Sequence, residues 1–524
     1  MLQTPSIEWS LLWPVVILAL GGALLITFTS LFPQARTRSI PAGVTAVLAV
    51  GAMATLPSMW SRLDELPGRR ATVVAGALAI DSFTIFVTAV ICLSVFLAAL
   101  LLDDYLQREG LDGPEWYVLL LLSAAGAVIL ASAEDLIVTF VGLEVMSIAV
   151  YVLAALHLRR SESQEAGFKY FILGALSSAI FLYGIALAYG ATGSTSLSAM
   201  RDALTMTNER GLTPSQDSSM ILVAMALMLV GFGFKVSAVP FQVWTPDVYE
   251  GSPTPVVAFM ASAVKVAGFA ALARVFIVAF GHLADDWRPV LGAMAVVSVV
   301  VGSFLAVVQT NVKRMLAFSS ISHAGFMLIG VHAGGSGSAE TSMLGIRALL
   351  FYMIAYTLLV AGTFAVATVA GGTGDNDHSL DDYRGLAHER PVLAAALVLF
   401  LLGQAGVPFT AGFFAKFGVI VAAVRGEEYV IAGAAMVGAV VGAFLYLRII
   451  VSVFLDTESD ADDEMDEDPD PAGGSVARPV LRRVAPATTV AIAVAVLGTL
   501  ALGVFPDLLR TALDEGAQAL SELR

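Results

Sequence analysis

Cysteine is almost absent from this 524-residue sequence: the chain has one, Cys92, within an apolar stretch. A single thiol cannot hold an iron–sulfur cluster or a cysteine-type zinc ion, because both need several cysteine ligands. Histidine is also scarce, and its six residues form no HExxH pattern. The chain has neither a GxGxxG turn between a strand and a helix nor a GxxxxGKS or GxxxxGKT loop. The sequence therefore offers no redox centre and no nucleotide-binding motif.

Charged residues make up only 14% of the chain, whereas 58% of the residues are hydrophobic and the mean hydropathy is +0.83. A soluble domain has about 25% charged residues, so this composition indicates a protein that crosses the membrane many times. Ten acids lie together between Asp456 and Asp470 and supply most of the net charge of −15. Such acidic blocks are usually solvated loops, and we predict one here, with capture of cations as the alternative.

Fourteen apolar windows of roughly 20 residues, the length that spans a bilayer, recur between residues 11 and 505. They predict an all-α polytopic membrane protein of about 14 transmembrane helices, with both termini on the same side. The first window is followed by QARTRS and not by a small-residue cleavage site, so we interpret it as an anchor. Lysine and arginine are slightly more frequent in the loops after odd-numbered windows, which predicts termini outside the cytoplasm.

A Val-Pro-Phe triplet interrupts the seventh and the twelfth windows, at residues 239–241 and 407–409. Proline removes a backbone donor and breaks a helix, and matching breaks in two halves of a transporter mark its transport site. We therefore predict two inverted repeats of five helices, each with one proline-broken helix. The predicted division of the chain is 1–110 for helices 1–3, 116–281 for the first repeat (helices 4–8), 289–455 for the second repeat (helices 9–13), 456–483 for the acidic loop, and 484–524 for the last helix and a short tail.

The chain has five lysines, and three of them, Lys235, Lys265 and Lys416, lie within apolar windows. Placing a charged side chain inside the bilayer costs about 2.5–3.5 kcal/mol even on the mildest scale, so an ionisable residue there is a functional candidate. A buried amine also exchanges its proton closer to neutral pH than a solvated one does. A row of such lysines is therefore suited to proton transfer.

Glu144 lies nine residues into the fifth window, where a buried carboxylate must find a partner or take a proton. Lys235, beside the break in the seventh window, is the best-placed partner. The two form either a structural ion pair or a pair that opens and closes with protonation. His323, in the tenth window, is a suitable proton relay because the ordinary pKa of histidine is near 6.5; a hydrogen-bonded core histidine is the alternative.

Four other polar residues are predicted near the membrane interface. Lys169, at the start of the sixth window, is interpreted equally well as a structural residue and as a possible relay. Lys313 stands beside a second basic residue in a short loop and is predicted to anchor that loop. Asp81 and His332, at the ends of their windows, are predicted to be interface residues.

The chain resembles the antiporter-like subunits of the proton-pumping NADH:quinone oxidoreductase, respiratory complex I, and among them subunit N. The resemblance is carried by FKVSAVPFQVWTPDVYEGSPTP followed by AVKVAGF, by NVKRMLAFSSISHAGFML and by GVPFTAGFFAKF. It covers about residues 80 to 455. The wider family includes subunits L and M of complex I and the large subunits of multisubunit Na⁺/H⁺ antiporters.

In that family a glutamate on the fifth helix pairs with a lysine on the broken seventh helix. A lysine on the eighth helix continues a hydrophilic axis that ends on the broken twelfth helix. The resemblance places these roles on Glu144, Lys235, Lys265 and Lys416. Lysine at 416 argues against subunit M, which carries glutamate there, and the short tail argues against subunit L. Many N subunits have a histidine seven residues after the first lysine, whereas this chain has Gln242, which cannot titrate.

The resemblance implies a subunit that translocates protons across the plasma membrane, driven by electron transfer from NADH to quinone in other subunits. It implies no cofactor in this chain, and NAD, FMN, iron–sulfur clusters and quinone in the partners. The expected partners are an adjacent M-type subunit, small membrane subunits and the lipid bilayer, without nucleic acid. One alternative is a subunit of an Mrp-type cation/proton antiporter. Another is a scaffold that has lost transport, which the intact set of titratable residues disfavours.

Overall fold

The computed structural model describes residues 8–32, 34, 39–111, 113–206, 219–455 and 484–523. Most of these residues are helical, and twelve helices are long and apolar enough to cross a membrane. The helices are α1 (Trp13–Leu31), α2 (Ile40–Asp64), α3 (Ser82–Glu109), α4 (Glu115–Ser132), α5 (Leu136–Ala155), α6 (Ser161–Thr192), α7 (Leu197–Thr205), α8 (Met220–Val236), α9 (Thr245–Gly251), α10 (Thr254–Ala279), α11 (Ala284–Val307), α12 (Val312–Gly334), α13 (Ala339–Ala370), α14 (Pro391–Ala405), α15 (Ala411–Arg425), α16 (Tyr429–Phe454), α17 (Pro486–Val504) and α18 (Arg510–Ser521).

Two further crossings are each built from two shorter helices that meet at a proline-containing break: α8 with α9, and α14 with α15. The chain leaves α8 through Ser237 and α14 through Gly406, both with left-handed backbone (φ 63° and 91°). Such a residue commonly ends a helix, and Pro240 and Pro408 then supply no backbone donor that could continue it. With these two, the described chain makes fourteen crossings, as predicted, and is a multi-pass membrane protein.

The all-α prediction is confirmed, with one element that it did not include: a short β-hairpin precedes α3. Strand β1 (Arg70–Val73) pairs antiparallel with β2 (Leu78–Asp81), with Arg70 opposite Asp81. The turn between the strands contains Gly76 in left-handed conformation (φ 84°). Because β2 is apolar, the sequence pattern merged it with the helix that follows.

The loops gather on two faces of the bundle. One, which we call the termini face, carries the hairpin, α7 and α18. Two ion pairs hold α18 on this face: Glu515 of α18 lies 2.6 Å from Arg69, and Asp514 of α18 lies 3.0 Å from Arg347. The opposite face carries the connections between α5 and α6, α9 and α10, α11 and α12, and α13 and α14.

The two predicted repeats share a backbone contact at equivalent places. In the first, Asp135 caps the N-terminus of α5 and bridges to Ser196, just after α6. In the second, Asn311 caps α12 and bridges to Ser379, after α13. The first bridge lies on the termini face and the second on the opposite face. This relation supports the inverted-repeat prediction, while the domain boundaries given above stay a prediction.

Small residues hold the first two helices of each repeat close together. A Cβ on Gly142 of α5 would lie 2.7 Å from the backbone nitrogen of Leu130 in α4, and a Cβ on Gly325 of α12 would lie 2.7 Å from the carbonyl oxygen of Ala295 in α11. Neither position has room for a side chain. The contacts fix α5 and α12, the helices that carry Glu144 and His323.

Candidate functional site

The three lysines predicted within the membrane are all buried. Lys235 on α8, Lys265 on α10 and Lys416 on α15 are 3%, 1% and 7% exposed. A buried ammonium is costly unless polar groups surround it. Each of the three has at least one hydrogen-bond acceptor and one aromatic ring close to its Nζ.

Lys235 lies at the end of α8, where the break begins. Its Nζ donates to Ser147 Oγ of α5 at 2.7 Å. The rings of Tyr151 and Tyr170, whose centroids are 4.6 Å apart, each lie 5.6 Å from Nζ, a distance at which a ring face attracts a cation. Trp244, which precedes α9, stacks on Tyr170 at 4.3 Å. The second half of the broken crossing therefore completes the lysine's surroundings.

Glu144 is partly buried on α5 and accepts a hydrogen bond from Ser178 of α6. Among the described residues, no ion pair joins it to Lys235, so the predicted pair is separated in this structure. Lys235 contacts the same helix three residues further on, at Ser147, which is nearly one turn away.

Lys265 contacts α12, a helix of the predicted second repeat. Its Nζ donates to the carbonyl oxygen of Ser320 on α12 at 2.8 Å and also to Ser320 Oγ. The hydroxyl of Tyr356 on α13 donates to the same Oγ at 2.8 Å. A π-helical turn, Met260–Val264, immediately precedes the lysine on α10. Such turns often mark functional sites in helices.

His323 is buried one turn after Ser320 on α12. Its Nδ1 is hydrogen-bonded to the hydroxyl of Tyr352 at 2.6 Å, and its Nε2 to that of Tyr446 at 3.0 Å. The Tyr446 hydroxyl is in turn 2.5 Å from Ser319 Oγ. His323 is thus hydrogen-bonded through both of its ring nitrogens.

Lys416 is hydrogen-bonded to the backbone at the second break, between α14 and α15. Its Nζ donates to the carbonyl oxygen of Ala405, the last residue of α14, at 3.1 Å. The carbonyl end of a helix is the negative end of its dipole, which favours a cation. The ring of Phe326, three residues after His323 on α12, lies 5.1 Å from Nζ. Ser320, which binds Lys265, and Phe326, which packs against Lys416, thus lie on either side of His323 along α12.

Lys169 lies apart from the buried residues Lys235, Lys265, His323 and Lys416. Its side chain is 40% exposed at the opposite face, where Nζ lies 2.7 Å from Glu165 and 2.8 Å from Asp247. Two acids therefore hold the lysine at the interface. The same carboxylate of Asp247 binds Arg314 at 2.9 Å.

Lys313 is not the loop anchor that the sequence predicted. It lies in the first turn of α12, fully buried, and donates to the carbonyl oxygen of Ser252 (2.7 Å) and to Asp375 Oδ2 (3.3 Å). Asp375 also accepts hydrogen bonds from Thr254, Arg160 and His378. This cluster ties the start of α10 to the loop after α13.

Asp81 and His332 are also buried, against the prediction of interface residues. Asp81 is fully enclosed and paired with Arg274 of α10. His332 is 3% exposed at the end of α12, with its Nε2 3.8 Å from Glu428. Both lie at the ends of apolar windows, where sequence hydropathy does not distinguish a buried polar group from an exposed one.

Gln242 lies in the break between α8 and α9. Its Oε1 is buried and has no hydrogen-bond partner among the described residues. The acidic segment Asp456–Asp470 lies outside the described residues. Within the described part of the chain, no group of three or more His, Cys, Asp or Glu side chains is arranged to hold a metal ion.

Sequence reasoning missed the hydroxyl groups that link the charged residues. Ser147, Ser178 and Ser320 bind the charged groups directly, and Tyr356 and Tyr446 connect them to their surroundings. The signal available was weak, since it consisted of single hydroxyl residues within apolar windows.

Comparison with known proteins gives consistent matches over most of the chain. Residues 133–442 match the family described as NADH:quinone oxidoreductase/Mrp antiporter, TM. The chain is 38% identical over 450 residues to NADH-quinone oxidoreductase subunit N of Trichlorobacter lovleyi, covering 86% of this chain and 88% of that protein.

Two solved structures are also similar. A chain of respiratory complex I from Thermus thermophilus with bound aureothin superposes with a TM-score of 0.72 at 32% identity, covering 95% of this chain and 99% of that chain. A chain of the Mrp complex from a Dietzia species superposes with a TM-score of 0.81 at 21% identity, covering 99% and 98%. At that identity the second likeness speaks for the fold alone.

Proposed function

Because the chain belongs to the NADH:quinone oxidoreductase/Mrp antiporter family of membrane subunits, we propose that it translocates protons as a membrane-arm subunit of respiratory complex I. The relatives named NADH-quinone oxidoreductase subunit N support this assignment, since they match most of the chain at 36–39% identity. Electron transfer from NADH to quinone takes place in other subunits, and the energy reaches this chain through its contacts with them.

The observation that carries the proposal is the row of titratable groups along α12. Ser320 receives Lys265, His323 follows one turn later, and Phe326 packs against Lys416 after a further turn. Each lysine amine can bind and release a proton without moving far. A proton that enters from the opposite face loads Lys265, passes by way of His323 to Lys416, and leaves at the termini face.

The Glu144–Lys235 pair supplies the switch in this scheme. When the pair closes, the carboxylate neutralises the charge of Lys235, and when the pair opens, that charge acts on the surrounding groups. The electrostatic field at Lys265 therefore changes with the state of the pair. Lys265 then alternates between holding and releasing its proton, because a nearby cation disfavours its charged form.

The face of α5 and α6 around Glu144 is the proposed contact with a neighbouring subunit. Glu144 is only partly buried, and Val141, Val145 and Ile148 beside it are 47%, 40% and 54% exposed. A carboxylate that faces lipid hydrocarbon at this depth is costly. We therefore expect a neighbouring protein subunit, and not lipid, to contact this surface. The expected neighbours are an M-type antiporter-like subunit and small membrane subunits, and the remaining surface contacts lipid.

The cellular setting follows from the same assignment. The chain lies in the plasma membrane with its termini outside the cytoplasm, as the distribution of basic loop residues indicates. NAD, FMN, iron–sulfur clusters and quinone belong to partner subunits. The possible relay role of Lys169 is restricted to the opposite face, where it lies beside Asp247.

The test is Lys235→Ala in the whole complex, reconstituted in sealed vesicles. Coupled NADH:quinone turnover and proton uptake should fall by at least about tenfold, the scale for loss of a positioned proton-transfer group. Met228→Ala is the matched control, because Met228 is fully buried on the same helix and carries no charge. Unchanged pumping in Lys235→Ala would exclude this role for the lysine.

A subunit of an Mrp-type cation/proton antiporter remains the alternative, since that family shares the fold. The two differ in their companions. Purification of the native assembly by a tag on this chain should yield NADH dehydrogenase activity if the chain belongs to complex I. Cation-driven proton exchange without that activity would favour the antiporter.

A further inference from the structure

Each member of the Glu144–Lys235 pair is bound to a serine in this structure. Lys235 Nζ donates to Ser147 Oγ, and Ser178 Oγ donates to the carboxylate of Glu144. Glu144 and Ser147 are three residues apart on α5, so both lie on nearly the same side of that helix. Lys235 therefore has two alternative partners less than one helical turn apart.

Both serines are set up to bind a charge. Ser147 donates its own proton to the carbonyl oxygen of Leu143, one turn back, which leaves its oxygen free to accept from an ammonium. Ser178 is 8% exposed and points from α6 toward α5. The Ser178 hydroxyl donates its proton to the carboxylate of Glu144. In this structure Ser147 thus accepts from the ammonium and Ser178 donates to the carboxylate.

We infer that Ser147 and Ser178 are positioning residues that hold the Glu144–Lys235 pair in its separated state. In the closed state, the lysine Nζ leaves Ser147 and moves about 4.5 Å along α5, the rise of three helical residues, to the carboxylate. Each charged group then exchanges a hydroxyl partner for an ionic one, so neither is left without a partner at any stage. This inference rests on the proposed function, because the switch has no role without proton transfer.

Two neighbouring aromatic rings favour the position of the lysine beside Ser147. Tyr151 and Tyr170 lie 5.6 Å from Nζ, and Tyr151 is itself on α5, between Ser147 and the opposite face. Gly174 of α6 makes room for the Tyr151 hydroxyl, because a Cβ there would lie 2.1 Å from it. Because Glu144 lies toward the other end of α5 from Tyr151, the lysine moves away from these rings when it moves to the carboxylate, and the rings therefore favour the separated state.

Removing one serine changes the balance between the two states. Ser178→Ala takes away a hydrogen bond to a charged group, which the separated state has and the closed state does not need. The ratio of closed to separated pairs should then rise by roughly tenfold or more. A pair that stays closed cannot switch, so coupled turnover should fall several-fold, even though all titratable residues are present.

The experiment compares Ser178→Ala, Ser178→Thr and Ser177→Ala in the whole complex in sealed vesicles. Ser177 is the matched control, since it is equally buried on the same helix and makes no hydrogen bond to either charged group in the described structure. Assembly is measured by NADH oxidation with a soluble electron acceptor, which bypasses proton transfer. Coupled turnover is then measured across pH 5 to 9.

We expect Ser178→Ala to assemble normally, to lose roughly three- to tenfold in coupled turnover, and to change the shape of the pH profile. Ser178→Thr, which keeps the hydroxyl, should restore most of the turnover, and Ser177→Ala should match the unmodified enzyme. The inference is overturned if Ser178→Ala behaves like Ser177→Ala, or if it lowers turnover equally at every pH and threonine does not restore it. If Lys235→Ala also leaves pumping intact, the proposed function itself fails, and the two failures are thereby distinguished.

Discussion

Arg274 and Asp81 form a bidentate ion pair inside the bundle. Nη1 of the arginine lies 2.9 Å from Oδ2 of the aspartate and Nη2 lies 2.9 Å from Oδ1, with side-chain exposures of 1% and 0%. Thr84 Oγ1 and the carbonyl oxygen of Ala131 accept further hydrogen bonds from the guanidinium. The pair joins α10, nine residues beyond Lys265, to the start of α3. The ion pair therefore fixes α10, the helix that carries Lys265, to the N-terminal part of the chain.

Replacing Asp81 by asparagine should destabilise the protein strongly. The change leaves Arg274 buried without a counter-charge, which costs about 3–5 kcal/mol. We expect a lower Tm of the purified complex and less assembled subunit. Asp286→Asn, an exposed acid near the same face, is the control and should leave both unchanged.

The double variant Asp81→Asn/Arg274→Met tests the cause. Replacing both partners of a buried pair by groups of similar shape is often neutral, so the second change should recover much of the lost stability. A double variant as unstable as the sum of the two single variants would mean that the pair itself does not account for the loss.

The buried carboxylate of Asp375 lets us predict how the folding stability of the protein depends on pH. Burial by itself raises the pKa of this carboxyl, but the charge of Lys313 and the hydrogen bond from His378 outweigh burial and hold the pKa far below its usual value. Because the folded state binds the proton less well than the unfolded state, the stabilisation is present at neutral pH. It is lost as the pH falls below about 4, the ordinary carboxyl pKa.

Asp375→Asn should therefore lower the Tm at pH 7 and weaken its dependence on pH in the acid range. Asp377→Asn is the control, since Asp377 is exposed in the same loop. Thermal unfolding of the two variants between pH 3 and 7 makes the comparison. An Asp375→Asn variant whose Tm falls with acid as steeply as the parent's would show that other groups dominate the acid response.

The elements that could be predicted from the sequence are those whose signal is local. The two Val-Pro-Phe triplets predicted both breaks, although proline alone does not suffice, since Pro57 lies within the continuous helix α2. The location of Lys235, Lys265 and Lys416 within apolar windows likewise predicted their burial. The partners are not local. Ser147 and Ser94 are both serines in apolar helices, but Ser147 binds a lysine from another helix while Ser94 donates to the carbonyl oxygen of Val90 in its own.

Lys313 is a second residue whose partner could not be predicted from the local sequence. Beside Arg314 and at the edge of a window, it has the sequence signature of a loop anchor. Its counter-charge, Asp375, lies 62 residues further along the chain. Only the packing of α12 against the loop after α13 brings them together, and no periodicity in either segment carries that information.

Lys416 should be required as an ammonium and not merely as a titratable group. Its partners are the carbonyl oxygen of Ala405 and the face of Phe326, both of which attract a cation and repel a carboxylate. Lys416→Glu should therefore lose as much coupled turnover as Lys416→Ala, at least about tenfold. Lys416→Arg should assemble normally but also fail to pump, because arginine does not release its proton. Near-normal turnover in Lys416→Glu would show that a group of either sign suffices.

Gln242 should be dispensable for proton transfer. Its side chain cannot titrate, and its Oε1 is buried with no partner among the described residues. Gln242→Leu removes an acceptor whose desolvation is uncompensated, so the change should be neutral or slightly stabilising, by about 1 kcal/mol. Coupled turnover should stay within about twofold of the unmodified enzyme, because the row along α12 does not pass through this residue.

Gln242→His supplies the complementary measurement. A histidine here lies in the break two residues after Pro240, close enough to the α8 lysine in sequence to add a second titratable group to that part of the site. If the route runs along α12, the new histidine should leave turnover at pH 8 unchanged and add a pH-dependent step near 6.5, the ordinary pKa of histidine. A tenfold loss in Gln242→Leu that Gln242→His restores would instead place position 242 on the proton route, and the path proposed from Lys265 to Lys416 would then need a branch through the first break.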